Sequence, residues 1–390
     1  MQHFDVLIVG GGMAGATAAV TIKKQQPDSR IAVIEAFQPK TAHHPSFDDR
    51  SLALAEQSVS YLRALGLFDP NWDFAEPITQ VHVSDRGHFG KATITHDEFA
   101  VDALGYVVEV NPYGAYLHQQ LSKLDIALYC PAKIAKLTQQ QAQVEVLLDS
   151  GESLSGKLLV VADGAQSPTR SKLNIGFDSV AYTQGALIAN VQISDKHQGQ
   201  AFERFTEHGP MALLPMSNNR YSLVWCMPEQ ALASLRECEE SEFLARLQAA
   251  FGYRAGMFER VGRRTSYPLV LGRVEQLVHH RCVLIGNAAH AIHPIAGQGF
   301  NLGLRDIQAL AEQLQQTDRQ EWGSHGFTQD YKMARESDIQ RVMTLTDALV
   351  RLFSNDSRML ALGRSCGLLS MSLFSQLKAP LARQLMGRTL

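Results

Sequence analysis

The feature that most limits what this chain can fold into lies within its first fifteen residues. The apolar run Val6-Leu7-Ile8-Val9 passes directly into Gly10-Gly11-Gly12-Met13-Ala14-Gly15, and a helical stretch, residues 14–24, follows. A G-x-G-x-x-G at that place turns strand sharply into helix. Gly10 permits the turn, Gly12 admits a ligand close to the backbone, Gly15 lets helix and strand approach, and the helix N-terminus favours phosphate. A turn at Pro27-Asp28 and a second apolar run, Ile31 to Ile34, complete a βαβ unit. Glu35 ends that second strand, twenty residues after Gly15. A carboxylate there accepts from both hydroxyls of an unphosphorylated ribose and repels a 2'-phosphate, so FAD or NAD fits and NADP does not. A glycine turn with no ligand is the competing reading.

The rest of the chain departs from a simple Rossmann repeat. Residues 175–275 carry short β-type runs such as Ala186–Val191 and Tyr221–Trp225, the latter preceded by the polar turn Ser217-Asn218-Asn219-Arg220, and residues 78–110 share this texture. From Arg335 onward, Ile339, Val342, Met343, Leu349, Val350 and Phe353 follow the spacing of one helix face. The expected fold is therefore α/β. A Rossmann-like cofactor domain (1–77, 111–174 and 276–335) carries an inserted antiparallel β-rich substrate lobe (78–110 and 175–275) and a helical C-terminus (336–390).

Composition removes several functions. With 36 basic and 39 acidic residues in 390, a net charge of -3, nothing draws the chain as a whole to nucleic acid. Five scattered cysteines, Cys130, Cys226, Cys238, Cys282 and Cys366, form no CxxC pair, which argues against metal, dithiol and disulfide roles. The N-terminus lacks a secretory pattern, and no window reaches the roughly 18 apolar residues of a membrane span. A cytoplasmic protein is expected.

Two further segments narrow the cofactor. Leu158 to Val161 is a buried-strand pattern ending in Ala162-Asp163-Gly164 and leading to Arg170; Cys282 to Ile285 is another, ending in Gly286-Asn287-Ala288-Ala289-His290 and followed by Pro294, Gly297, Gly299 and Asn301. These resemble the DG and GD signatures of the single-component FAD aromatic monooxygenases. Over essentially the whole chain, the segments Asp48 to Leu54, Val81 to Gly87, Ala201 to Pro210 and His293 to Gly303 look like the ubiquinone-biosynthesis hydroxylases of that class.

The resemblance implies FAD as resident cofactor, NAD(P)H and O2 as co-substrates, a polyprenylated methoxyphenol as substrate, and hydroxylation through a flavin C4a-hydroperoxide. It also implies association with other ubiquinone-biosynthesis proteins. Carried over residue by residue, Gly10, Gly12, Met13, Ala14, Gly15 and Glu35 would hold the ADP half of FAD. Arg50 would pair with phosphate oxygens, and Asp163 with Gly164 would contact the cofactor. Gly297, Gly299, Phe300 and Asn301 would bring backbone N–H groups to the flavin pyrimidine, with Pro294 at its reactive edge. Arg50 as a surface arginine, Asp163 as a strand-end turn residue and Pro294 as a loop-shaping proline are the rivals. Asn287 stands where most of the class has an aspartate for the ribityl chain, which predicts weaker FAD.

The substrate-activating base stays unassigned among His290, His293, His208, Arg204 and Tyr221. Met211, Leu213, Leu214, Met216 and Trp225 are candidates either for a prenyl channel or for ordinary sheet core. Residues 358–390 hold five basic and no acidic side chains among apolar ones including Leu368, Leu369, Met371, Leu373 and Phe374. They read as peripheral contact with an anionic membrane face or as a helix packed on its own domain. Two functions stay open, a hydroxylase acting at this or another ring position or on another phenol, and a non-catalytic FAD-stabilised scaffold of a quinone-biosynthesis complex.

Overall fold

The computed structural model describes residues 1–38, 50–87, 90–206, 208–294, 297–353, 358–373 and 375–388, with backbone alone at 351, 353, 358–364, 373, 375 and 381. Val6, Leu7 and Ile8 are fully buried, as a strand covered on both faces must be. Around this strand, Gln2–Val9, a sheet is built in the order Val278–His279, Cys282–Leu284, Ser153–Val161, Gln2–Val9, Ile31–Ile34, Ala127–Tyr129. The pairings from Cys282–Leu284 through Ala127–Tyr129 are parallel. Helix Met13–Gln25 packs against both Val110–Lys123 and Gln298–Gln316.

A second sheet of nine strands, antiparallel except where Gln200–Thr206 runs beside Gln80–Asp85, forms the β-rich lobe. Side chains alternate across it. Leu187, Ala189, Val191, Phe202, Met211, Leu213 and Trp225 face helices Glu229–Glu237 and Glu240–Phe251 through Leu232, Leu235, Phe243 and Leu247. These two helices were absent from the antiparallel reading of 175–275, although Leu232 with Leu235 and Phe243 with Leu247 carry helical spacing. On the opposite face Ala201 and Met216 meet Ala382 and Met386, and Phe205 meets Val350 and Leu368.

The segment 78–110 is split. Gln80–Asp85 and Lys91–Thr95 join the nine-stranded sheet, but Gly105–Glu109 pairs with Ser51–Ala55 and Ala75–Ile78 in a separate three-stranded sheet. The pairing with Ser51–Ala55 requires glycine at its edge: a Cβ on Gly105 would stand 2.3 Å from the Leu54 carbonyl oxygen. Glu109 then leads straight into helix Val110–Lys123. The C-terminal helix also begins earlier than Arg335, spanning His325–Phe353.

Candidate functional site

At the nucleotide end the chain leaves Val9, turns at Gly10 with φ +97°, and enters helix Met13–Gln25. A Cβ on Gly10 would stand 2.5 Å from the Ala162 carbonyl oxygen, and one on Gly15 would stand 1.8 Å from that of Gly10. Gly12 is different: nothing lies within 4 Å of where its Cβ would be. That open space adjoins the N-terminus of a helix with no side-chain cap, whose first N–H groups have no partner within the helix. The Glu35 carboxylate stands beside the turn, accepting from Gly11 N at 2.5 Å and from Phe37 N at 2.8 Å. Met13 is half-buried, and Ala14 lies under Gly286, whose Cβ would meet Ala14 Cβ at 3.3 Å. The first and third glycine segments, more than 270 residues apart, thus form one surface.

The second segment is more structural than cofactor-facing in its side chains. Asp163 accepts from the Ser167 hydroxyl and from Thr169 N, capping the short helix Pro168–Lys172. This is the strand-end role that competed with cofactor contact. Gly164, at φ +88°, keeps open space around its Cα. Arg170 donates to the Ala165 and Ala288 carbonyls at 2.9 and 3.1 Å and stacks over Phe177, tying this turn to the next.

In the third segment Asn287 is exposed at the tip of a turn that starts at Gly286, φ +57°. Pro294 is half-buried and its carbonyl accepts from Gly297 N. Gly297 occupies the left-handed region, and its Cβ would stand 2.7 Å from Ala53 Cβ. Helix Gln298–Gln316 starts there uncapped, with open space at Gly299, while Phe300 packs on the core. The Asn301 side chain does not face that space. It accepts from Ala55 N and donates to Ala53 O and Gly297 O, each at 2.8 Å, fixing the helix to the strand that follows Arg50. Arg50 is exposed, and its charge acts on the Tyr267 hydroxyl. Asp48, Asp49, Glu207, Ile295, Ala296 and Phe374 lie outside the described residues.

Of the groups left open as bases, His290 is buried and hydrogen-bonded to Asp306 at 2.8 Å. His293 is fully buried, edge-on to Tyr182, and burial pulls its pKa down to about 4, so it is neutral near pH 7. Tyr221 donates to Gln200 O inside the lobe. His208 is exposed, and Arg204 reaches Ser84 at 3.5 Å. The channel candidates Met211, Leu213 and Trp225 belong to the core beneath the lobe's helices, and Met216 packs with Ala382 and Met386.

Two of the five C-terminal basic residues are used internally. Lys378, 7% exposed, bonds Thr93 O and Glu98, and Arg388 bonds Glu56. Arg383 is exposed, and the side chains of Arg358 and Arg364 are outside the described set. Among the described residues no helix is long and apolar enough to cross a membrane, and no group of three metal-ligating side chains occurs.

Glycine turns brought onto one surface, two helix N-termini without side-chain caps and the Glu35 carboxylate make up the pattern of a dinucleotide-binding protein, and the open space at Gly12 and Gly299 leaves room that an FAD fits. The FAD-binding domain family model matches residues 3–346, and the chain belongs to that family, that of the FAD-dependent monooxygenases. FAD is its cofactor, and NAD(P)H and O2 are the co-substrates typical of the family. The chain is 35% identical to the ubiquinone hydroxylase UbiL of Rhodospirillum rubrum, over 98% of this chain and 89% of that one. It is 30% identical to the 3-demethoxyubiquinol 3-hydroxylase of Escherichia coli, over 95% of each. Among solved structures, PqsL of P. aeruginosa with 2-aminobenzoylacetate matches with TM-score 0.78 at 20% identity, covering 93% of this chain and 99% of that one. The p-nitrophenol 4-monooxygenase PnpA of Pseudomonas putida matches at 0.76 and 18%, covering 100% of both. At such identities these two speak for the fold.

Proposed function

We propose that the chain is an FAD-dependent hydroxylase of a polyprenylated phenol in ubiquinone biosynthesis, and that it oxidises a 2-polyprenyl-6-methoxyphenol at the carbon para to the hydroxyl. The observation that carries the pathway is near-full-length similarity to two hydroxylases named for ubiquinone chemistry, UbiL and the 3-demethoxyubiquinol 3-hydroxylase. The second of these names a different ring position, which keeps hydroxylation elsewhere on the ring as the alternative.

In this reading the Gly10–Gly15 turn, with Met13 and Ala14, holds the pyrophosphate, Glu35 the ribose, and Arg50 a phosphate oxygen. Asp163 and Gly164 shape the wall between, with Asp163 acting through its cap. Asn287 accepts from the ribityl chain. Pro294 and the Gly297–Asn301 helix start border the flavin, where backbone N–H groups stabilise negative charge. FAD, when bound, supplies the electron acceptor for NAD(P)H and the site of O2 activation. The cofactor is then carried by 1–77, 111–174 and 276–335, and the substrate is roofed by the nine-stranded sheet.

The chain's own work is to orient the phenol and keep water out. Tyr267 and Cys226 flank Ala186 on one sheet face. Tyr267 is 40% exposed as a residue, and desolvation at its hydroxyl, with a smaller contribution from Cys226, pushes its pKa up to about 12 against the opposing pull of Arg50. It therefore stays a hydrogen-bond donor through the physiological range, suited to hold a phenol oxygen rather than to remove its proton.

The test is NAD(P)H oxidation by FAD-loaded protein, with and without a short-chain 2-prenyl-6-methoxyphenol under 18O2, followed by mass spectrometry. Stimulated oxidation with one label para to the hydroxyl is expected. A label at another carbon moves the assignment to the alternative position, and no stimulation of fully loaded protein leaves a different phenol or the scaffold reading.

A further inference from the structure

Beneath the Gly286-Asn287 turn lies a set of charged side chains that is fully buried at Asp306 and reaches partial exposure at Arg305 and Asp338. Asp306, in the middle of helix Gln298–Gln316, has no exposed surface. Its Oδ2 accepts from Gly286 N at 3.0 Å and from His290 Nε2 at 2.8 Å, and its Oδ1 from Arg335 Nε at 2.8 Å. Arg335 continues to Asp338 at 2.8 Å, which meets Arg305 at 3.1 Å. Two carboxylates thus face two guanidiniums and one imidazole.

A network of this kind is a poor source of net stability, because desolvation offsets most of the attraction. What it supplies here is geometry. The same helix is fixed five residues earlier by Asn301 to Ala53 and Ala55, and between the two anchors Gly303 touches the turn, where a Cβ would stand 3.2 Å from Gly286 Cα. One rigid helix therefore sets the spacing of three separate pieces: the strand after Arg50, its own open N-terminus at Gly299, and the turn bearing Asn287.

We propose that Asp306 is a positioning residue for the cofactor: by holding Gly286 N, it fixes the Gly286-Asn287 turn at the distance from the helix N-terminus that FAD requires. The inference rests on the cofactor placement given above. Preorganisation of this sort acts on affinity, since a turn free to drift must be ordered when the ligand binds.

Three substitutions in the full-length protein separate positioning from mere stability. Asp306→Asn removes the charge at the turn. Gly303→Ala presses helix and turn apart while leaving every charge in place. Arg335→Lys weakens the network on the side away from the turn and leaves the Gly286 bond intact. Apoprotein is titrated with FAD by quenching of flavin fluorescence, at a temperature where circular dichroism shows each variant folded, and apoprotein melting is recorded alongside. The FAD Kd should rise at least about tenfold in Asp306→Asn and Gly303→Ala and stay within about threefold of wild type in Arg335→Lys. Both Asp306→Asn and Arg335→Lys should melt earlier. A Kd that follows melting temperature, with Arg335→Lys as impaired as Asp306→Asn and Gly303→Ala unaffected, overturns the proposal. If Asp306→Asn does not fold, Gly303→Ala against Arg335→Lys decides alone. Wild-type protein that binds no FAD would instead sink the cofactor placement.

Discussion

The two ends of the proposed cofactor surface are held by opposite means. At Gly10–Gly15 backbone meets backbone: Gly10 against Ala162, Gly15 against Gly10, with hydrogen bonds from Gly10 N to Ile34 O and from Ala162 N to Val9 O. At Gly286–Gly303 the turn is held by the buried carboxylate of Asp306, itself held by Arg335. The first end tolerates no added atom at Gly10 or Gly15 and is held chiefly by backbone, with the Glu35 carboxylate accepting from Gly11 N. The second depends on a charge balance and so answers to pH.

The sharpest way to break the first end is Gly15→Ala. A Cβ at 1.8 Å from a carbonyl oxygen forces helix and strand apart, costing about 3 kcal/mol, and thermal unfolding should show it together with loss of FAD. Gly12→Ala makes the contrast within the same motif. It should leave apoprotein melting unchanged, since nothing lies near, yet abolish FAD retention on gel filtration; retained FAD would refute the pyrophosphate cradle.

At the second end the expected signature is acid sensitivity. Burial raises the Asp306 pKa, but His290, Arg335 and the bond from Gly286 N together hold it below the ordinary 3.8. A depressed carboxyl contributes stability that is complete above its unfolded value and lost as pH falls through its folded one. Urea midpoints from pH 7 down to about 3 should therefore fall more steeply for wild type than for Asp306→Asn. Parallel curves would show that Asp306 does not govern the acid limb.

A smaller change follows at Asn287. Restoring a carboxylate by Asn287→Asp should tighten FAD by about 1 kcal/mol, roughly five- to tenfold, seen as FAD surviving purification; equal retention would refute the role. Smallest of all is Arg383→Glu. With Lys378 and Arg388 paired internally, flotation with anionic vesicles should change less than about twofold, and a larger loss would restore a membrane role for 358–390. Cutting the chain before that segment is a poor test, because Leu368, Ala382 and Met386 are buried against the β-rich lobe.

What could be read from the sequence follows from the same contrast. The Gly10–Gly15 turn and Glu35 are legible because one βαβ unit carries the glycines and the carboxylate at a fixed spacing, although the wall against Gly10 is Ala162, far along the chain. The parallel sheet was legible from the apolar runs at Val6, Ile31, Leu158 and Cys282. Asp306 and Arg335 were missed because their meaning depends on partners 20 and 29 residues away, and an aspartate within a helix pattern carries no mark of burial. Asn301 reads from the sequence as a cofactor-binding residue, whereas its side chain serves Ala53 and Ala55, a contact no spacing rule could anticipate. Helices Glu229–Glu237 and Glu240–Phe251 were the reverse case. Their spacing was present, and surrounding β-rich sequence hid it.

The bonds from Asn301 to Ala53 and Ala55 span 248 and 246 residues. Closing a loop of that length carries a large entropic cost before any contact repays it, so such contacts form late in folding. The Gly10–Gly15 turn, whose distant contact is with Ala162, closes a shorter loop and can be complete while the Gly286–Gly303 end is still open. FAD then meets a surface whose last piece has only just arrived, acting as a clasp on a finished shape instead of a seed for it. Refolding in the presence of FAD should accordingly raise the final yield without speeding the main phase.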